Sequence, residues 1–172
     1  FIAERKKVED VLRDSEERYR NLIESIPDMV IVLSMDRQVL YANRVTYETT
    51  GLHLDEFKDS GKLSAVYHDE DRIRVFNAFR SFIESGRQNS SPVSFRLIDA
   101  SNTVRWFSAI FGHVTFEEQP AVQLICRDTT EQTIAEQELK LKTEELNQYF
   151  ESALDLLCIL DSNGIYYRLN PE

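Results

Sequence analysis

The chain carries an internal repeat, and that repeat limits what it can fold into. Displaced by 127 residues, its tail falls on its start without a gap. Glu24-Ser25 meets Glu151-Ser152, Asp28 meets Asp155, Leu33 meets Leu160 and Asn43 meets Asn170. Apolar positions coincide as well: Leu12 with Leu139, Tyr19 with Leu146, Ile23 with Phe150, Val32 with Ile159. Chance rarely keeps caps, turn and apolar register together. The sequence therefore reads as one full unit with its leading helix, then the leading helix and first hairpin of another. The second copy has Asn163-Gly164 in its turn, a strong hairpin signal. Its Pro171 follows Asn170, the position just after an N-cap where proline is favoured.

Inside the unit, the period of the apolar residues changes along the chain. Residues 1–26 contain no Gly or Pro and place Val8, Leu12, Ser15, Tyr19, Leu22 and Ile26 at alternating steps of four and three, with charges on most of the other face. That helix either forms a dimeric coiled coil through this seam or lies on its own domain. Met29 to Leu33 is a continuous apolar run, the pattern of a strand buried on both faces. Val39 to Ala42 is a second strand. Asn43 then suits an N-cap and Gly51 a helix stop. Residues 52–68 are mixed and turn-rich. A long helix spans about Glu70 to Ser85, with Asp69 placed to cap it and Val75, Phe76, Phe79, Phe82 and Ile83 on one face. From residue 92 the period becomes two: Val93, Phe95 and Leu97 alternate with Ser94, Arg96 and Ile98. Ser101-Asn102 turns the chain into a strand from Thr103 to about Val114. Glu117 to Pro120 turns it again into a last strand, Ala121 to Cys126. Two strands, short helices, a long helix and three strands give an α+β domain: a five-stranded antiparallel sheet with helices packed on it. Residues 131–153 are charged and helical, a solvated linker.

Composition narrows the function classes. The net charge of −10 argues against nucleic acid as a partner, because phosphate binding needs a basic face. No apolar run approaches the length of a membrane helix, and no direct membrane contact is expected. Cys126 and Cys158 lie in apolar strand-like runs and read as free thiols in a reducing, cytoplasmic compartment. The chain starts at Phe1 rather than Met and stops within an unfinished pattern, so it reads as a piece of a longer protein.

Several short motifs, in this order and at these separations, resemble the PAS family. Glu17 to Glu24 is similar to the lead-in common in its sensor kinases. Tyr41-Ala42-Asn43 followed by Gly51 resembles its strand-to-helix corner. Tyr67-His68-Asp69-Glu70-Asp71-Arg72 resembles its approach to the long helix, with Asp69 where proline is usual. Val104-Arg105-Trp106 resembles the start of its penultimate strand, and Asp128-Thr129-Thr130-Glu131 its closing Asp-Ile-Thr-Glu motif. The resemblance implies a helix at 1–26, a PAS domain at 27–130, a helical linker at 131–153 and the beginning of a second PAS domain at 154–172. Arg37 stands where the second copy has Gly164, so the first hairpin is expected to use a different turn.

The resemblance also frames the chemistry. The long helix has no His for a haem, and the Cys context of a covalent flavin photosensor is absent, so neither cofactor is expected. His53, His68 and His113 read as surface or capping residues, and no His or Cys pair has metal-ligand spacing. No catalytic motif is present. The family's ligand cavity, between sheet and long helix, would be lined by Phe76, Phe79, Phe95 and Trp106 with Arg80 and Gln123 as polar contacts. Those aromatics either bound a small-molecule site or fill the space completely. Arg105, Asp128, Thr129 and Glu131 are the expected coupling residues where the last strand becomes the linker. The resemblance implies a sensing or relaying module, upstream of an output domain such as a histidine kinase on the same chain, and the seam at Val8, Leu12, Tyr19 and Leu22 predicts a homodimer. The rival is a ligand-free dimerisation or spacer module.

Overall fold

The computed structural model describes the backbone of residues 2–58, 60–153 and 155–171, and side chains from Arg13 onward apart from residues 58–60, 63, 154 and 172. It forms two compact units, Phe1–Thr129 and Thr130–Glu172. The first holds helix α1 (Ile2–Glu24), strands β1 (Met29–Ser34) and β2 (Val39–Ala42), and helix α2 (Arg44–Thr50). A 3₁₀ turn at Glu56–Lys58, helix α3 (Ser60–Val66) and the long helix α4 (Asp69–Ser85) follow. Strands β3 (Val93–Ile98), β4 (Val104–Phe116) and β5 (Gln119–Asp128) complete the unit. The second unit is helix α5 (Thr130–Ser152) and a hairpin, β6 (Cys158–Leu160) with β7 (Tyr166–Leu169).

The five strands of the first unit form the one antiparallel sheet that the sequence leads one to expect, and their order is β2-β1-β5-β4-β3. Its inner face is apolar because alternate residues of three strands point the same way. Phe95 lies across from Phe107, Ala109 from Cys126, and Phe111 from Leu124. Helix α4 covers this face with Val75, Phe79 and Phe82, all buried. Phe79 and Phe82 pack on the Phe111 ring at centroid distances of 5.7 and 5.8 Å. Burying each such ring contributes roughly 2–3 kcal/mol.

Asn43 caps α2 as its position predicts, and Gly51 and Gly86 end α2 and α4 in the left-handed conformation. Four expectations need correction. Residues 52–68 hold α3 as well as turns. Helix α4 is preceded by His68, not capped by Asp69, whose carboxylate pairs with Arg72 instead. Arg37 adopts φ +67°, so both hairpins use one turn: Arg37 N–H donates to Ser34 O, as Gly164 N–H donates to Asp161 O. A left-handed arginine costs about 1 kcal/mol. The turn's two backbone bonds, from Arg37 N to Ser34 O and from Ser34 N to Gln38 O, hold it there. The β4–β5 turn is also tighter than expected. Glu117 and Glu118 alone make it, both at positive φ, and β5 starts at Gln119.

Candidate functional site

The interior between α4 and the sheet has little free space. A cavity of about 40 Å³ remains, bordered by Phe76, Phe79, Tyr67, Leu124 and the Arg37 turn. Ligand sites usually run to about 300–1,000 Å³, and this cavity falls well below that range. Arg37 spans its rim with its guanidinium 5.5 Å from the Phe76 ring centre. Burial pushes the Tyr67 hydroxyl up from its ordinary range and the Cys126 thiol up to about 12, leaving both neutral.

The residues expected to line one ligand site are divided between two faces of the sheet. Phe76 and Phe79 border the cavity. Phe95 is buried beside them against Tyr67 and Phe107. Arg80 lies on the exposed side of α4 and donates to Asn77. Trp106 pairs with Arg96, and Gln123 neighbours Leu124, so the period of two turns both away from α4. The expectation that Trp106 and Gln123 join the interior site is therefore corrected. Gln123 instead borders a groove of about 440 Å³ between α1 and the outer sheet face, with Tyr19, Ile23, Val32 and Phe116.

The end of α1 is fastened by Glu24, beside a bond from Asn43 Nδ2 to Ile23 O at 3.4 Å. The Glu24 carboxylate accepts the Tyr41 hydroxyl at 2.6 Å and the Arg44 amide at 2.7 Å. These two bonds hold its pKa below the usual carboxylate range. Four residues on, Asp28 accepts from the Arg127 guanidinium at 3.1 Å. Strands β1 and β5 are neighbours, with Met29 opposite Cys126, so the chain enters and leaves the sheet side by side.

The exit from β5 is held from β4. Arg105 donates to Asp128 at 3.2 Å and to Asp99 at 2.7 Å, and the Thr129 amide donates to the Trp106 carbonyl at 2.8 Å. The structure thus brings together three of the four expected coupling residues, Arg105, Asp128 and Thr129. Glu131 follows in the first turn of α5. The same strand connects to α4. The Trp106 ring lies 5.2 Å from the Arg96 guanidinium, and Arg96 donates to the buried Asp71 carboxylate through both its amide and Nε at 2.8 Å. Arg96 also pairs with Glu70. Sequence reasoning missed Asp71, Asp99, Glu24 and Asp28 as site residues. Two of them carried a signal, because Glu24 and Asp28 recur as Glu151 and Asp155. Among the described residues no group of His, Cys, Asp and Glu is placed to hold a metal ion.

The profile of the PAS fold matches residues 39–127, more than half of the chain. The chain belongs to the PAS family. Solved PAS-type structures agree with the fold. A sensory box histidine kinase/response regulator from Burkholderia thailandensis superposes with a TM-score of 0.57 at 18% identity, covering 76% of this chain and 98% of that one. The PAS domain of a Colwellia psychrerythraea protein gives 0.55 at 12% identity, covering 67% and 97%. Among curated proteins, the uncharacterized protein y4lL of Sinorhizobium fredii is 28% identical over 149 residues. The match takes in 85% of this PAS chain but only 18% of that relative's length.

Proposed function

We propose that this PAS chain is a sensing or relaying module, in which a change at α1 or in the core is passed through the end of β5 into α5. The observation that carries the reading is the side-by-side fastening of the two chain ends, Asp28 to Arg127 and Asp128 to Arg105. Exposed ion pairs are each worth little, about 0–1 kcal/mol. That suits a joint with two accessible states, which a signal biases through differential contacts. The histidine kinase and response regulator named for the Burkholderia neighbour supports an output domain on the same chain. A cytoplasmic setting follows from that reading, and no helix among the described residues is long and apolar enough to cross a membrane. Asp128→Ala in the natural protein is expected to shift basal output or its response several-fold with the domain still folded. Unchanged output on both counts would reject the relay.

The small interior cavity favours a second reading for the core, in which the module works without a ligand, haem or covalent flavin and associates through α1. Tyr19 and Leu22 are 66% and 58% exposed on that helix, and Val8 and Leu12 of the same seam lie outside the described side chains. Native mass spectrometry is expected to give a dimer whose mass is that of two chains alone. Leu22→Glu is expected to give folded monomers. A wild type that stays monomeric at high concentration would return the seam to a purely intramolecular role.

A further inference from the structure

Helix α2 is tied at one end to α1 and at the other to the turn between β3 and β4. Glu24, the last residue of α1, accepts the amide of Arg44, the first residue of α2, at 2.7 Å. At the far end Thr49 O accepts the Ala100 amide at 2.9 Å. Gly51, which ends the helix at φ +69°, lies so close to that turn that a side chain there would meet Ala100 Cβ at 3.0 Å. The seven residues of α2 make a rod of about 10 Å. Its caps, Asn43 and Gly51, and the fully buried Thr46 hold it as one piece.

The turn that receives α2 also holds the exit from the sheet. The Asn102 amide donates to Asp99 O at 2.9 Å and Asn102 is left-handed at φ +59°, the three-residue hairpin loop built on a type I turn. Ala100 is the second residue of that turn, and its amide takes no part in the turn's own hydrogen bond. The Asp99 side chain is 7% exposed and accepts the Ser101 and Thr103 amides, both at 2.9 Å. It also accepts Arg105 Nε at 2.7 Å, and Arg105 reaches Asp128 at 3.2 Å.

We propose that α2 is the positioning element between entry and exit. A displacement of α1 at Glu24 moves α2, α2 moves the β3–β4 turn through the bond from Ala100 to Thr49, and Asp99 passes the shift to Arg105 and Asp128. This path presupposes the relay reading, since it ends on the joint that reading invokes. Asp28 and Arg127 also join the two chain ends, but Arg127 is 73% exposed, and a pair so open to water holds position weakly. The path through α2 runs on backbone hydrogen bonds and a buried carboxylate.

Amide exchange over residues 131–138, read in a double-mutant cycle, tests the path. Ala100→Pro removes the N–H that Thr49 accepts and keeps the turn, because proline suits the second position of a type I turn. Ala100→Gly keeps that N–H. Glu24→Ala and Ala100→Pro are each expected to speed exchange there about threefold, with the interior of β4 unchanged, and the double variant no more than either alone. Ala100→Gly should leave the response to Glu24→Ala intact. Asp99→Asn cuts the last link by a second route, keeps an acceptor for the Ser101 and Thr103 amides, and should erase that response. Effects that multiply in the double variants would overturn the path and leave the relay standing. So would a Glu24→Ala protein with unchanged exchange beside a clear effect of Asp128→Ala. No effect of Asp128→Ala either would overturn both.

Discussion

Asn43→Ala is expected to cost the first unit about 4 kcal/mol, because removing one partner leaves buried backbone groups unpaired at roughly 1–3 kcal/mol each. Asn43 is fully buried and works in both directions. Its Oδ1 accepts from the amides of Val30 and Thr46 and from the Thr46 hydroxyl. Its Nδ2 donates to the carbonyl of Asp28. One side chain thus joins the start of β1, the end of β2 and the first turn of α2. Alanine leaves the buried Val30 amide without its Asn43 acceptor. Asn43→Asp keeps the acceptor, loses the donor and buries a charge, so it should recover little. Urea unfolding followed through Trp106 is the check. With a slope of 1–3 kcal/mol per molar, the midpoint should fall by about 2 M. A fall under about 0.5 M would mean that Asn43 is only an ordinary helix cap.

Asp71→Ala is expected to cost about 3 kcal/mol at neutral pH, since breaking a buried pair strands its partner groups. The Asp71 carboxylate accepts from the Arg96 amide and guanidinium and from Arg74 at 2.7 Å. The Arg96 hydrogen bonds, ahead of those from Arg74, hold its pKa well below the usual carboxylate range against the opposing effect of burial. The sign of the pH dependence follows. A depressed folded-state pKa contributes stability that is fully present above the unfolded value, about 3.9, and is lost as pH falls towards the folded value. Wild type and Asp71→Asn should therefore differ by a constant amount above about pH 5 and converge in acid. Urea midpoints at pH 7 and pH 3 test this. A difference that stays the same at both would show that shape, not charge, makes the contribution.

These two residues differ in how far the sequence exposes them. Asn43 was legible because a cap is a local device: a short polar residue between a strand and a helix, with glycine one short helix later. The repeat at Asn170 marked it twice. The sheet was legible from the period of two in β3 and the apolar run in β1. Asp71 was not legible as a partner of Arg96, because 25 residues and a helix reversal separate them and no local pattern encodes that meeting. The faces of Trp106 and Gln123 failed for another reason. Strands β4 and β5 carry apolar residues on both faces, since α4 covers one and α1 part of the other. Alternation in those strands therefore gives no sign, and only the register against β3 and β1 supplies it. Arg37 shows a local preference overruled. The turn's backbone bonds and the ring of Phe76 hold an arginine where glycine is the cheaper residue.

Amide hydrogen exchange across the end of β5 tests the relay most directly. The account holds that Arg105, Asp128 and the Thr129–Trp106 bond anchor the residues just ahead of α5. Asp128→Ala should then speed exchange in the first turns of α5, residues 131–138, by about fivefold, consistent with the ~1 kcal/mol that an anchoring carboxylate contributes. Protection in the interior of β4 and β5 should not change. Unaltered exchange over residues 131–138, or loosening of the whole sheet to the same degree, would contradict the claim that this joint carries the signal.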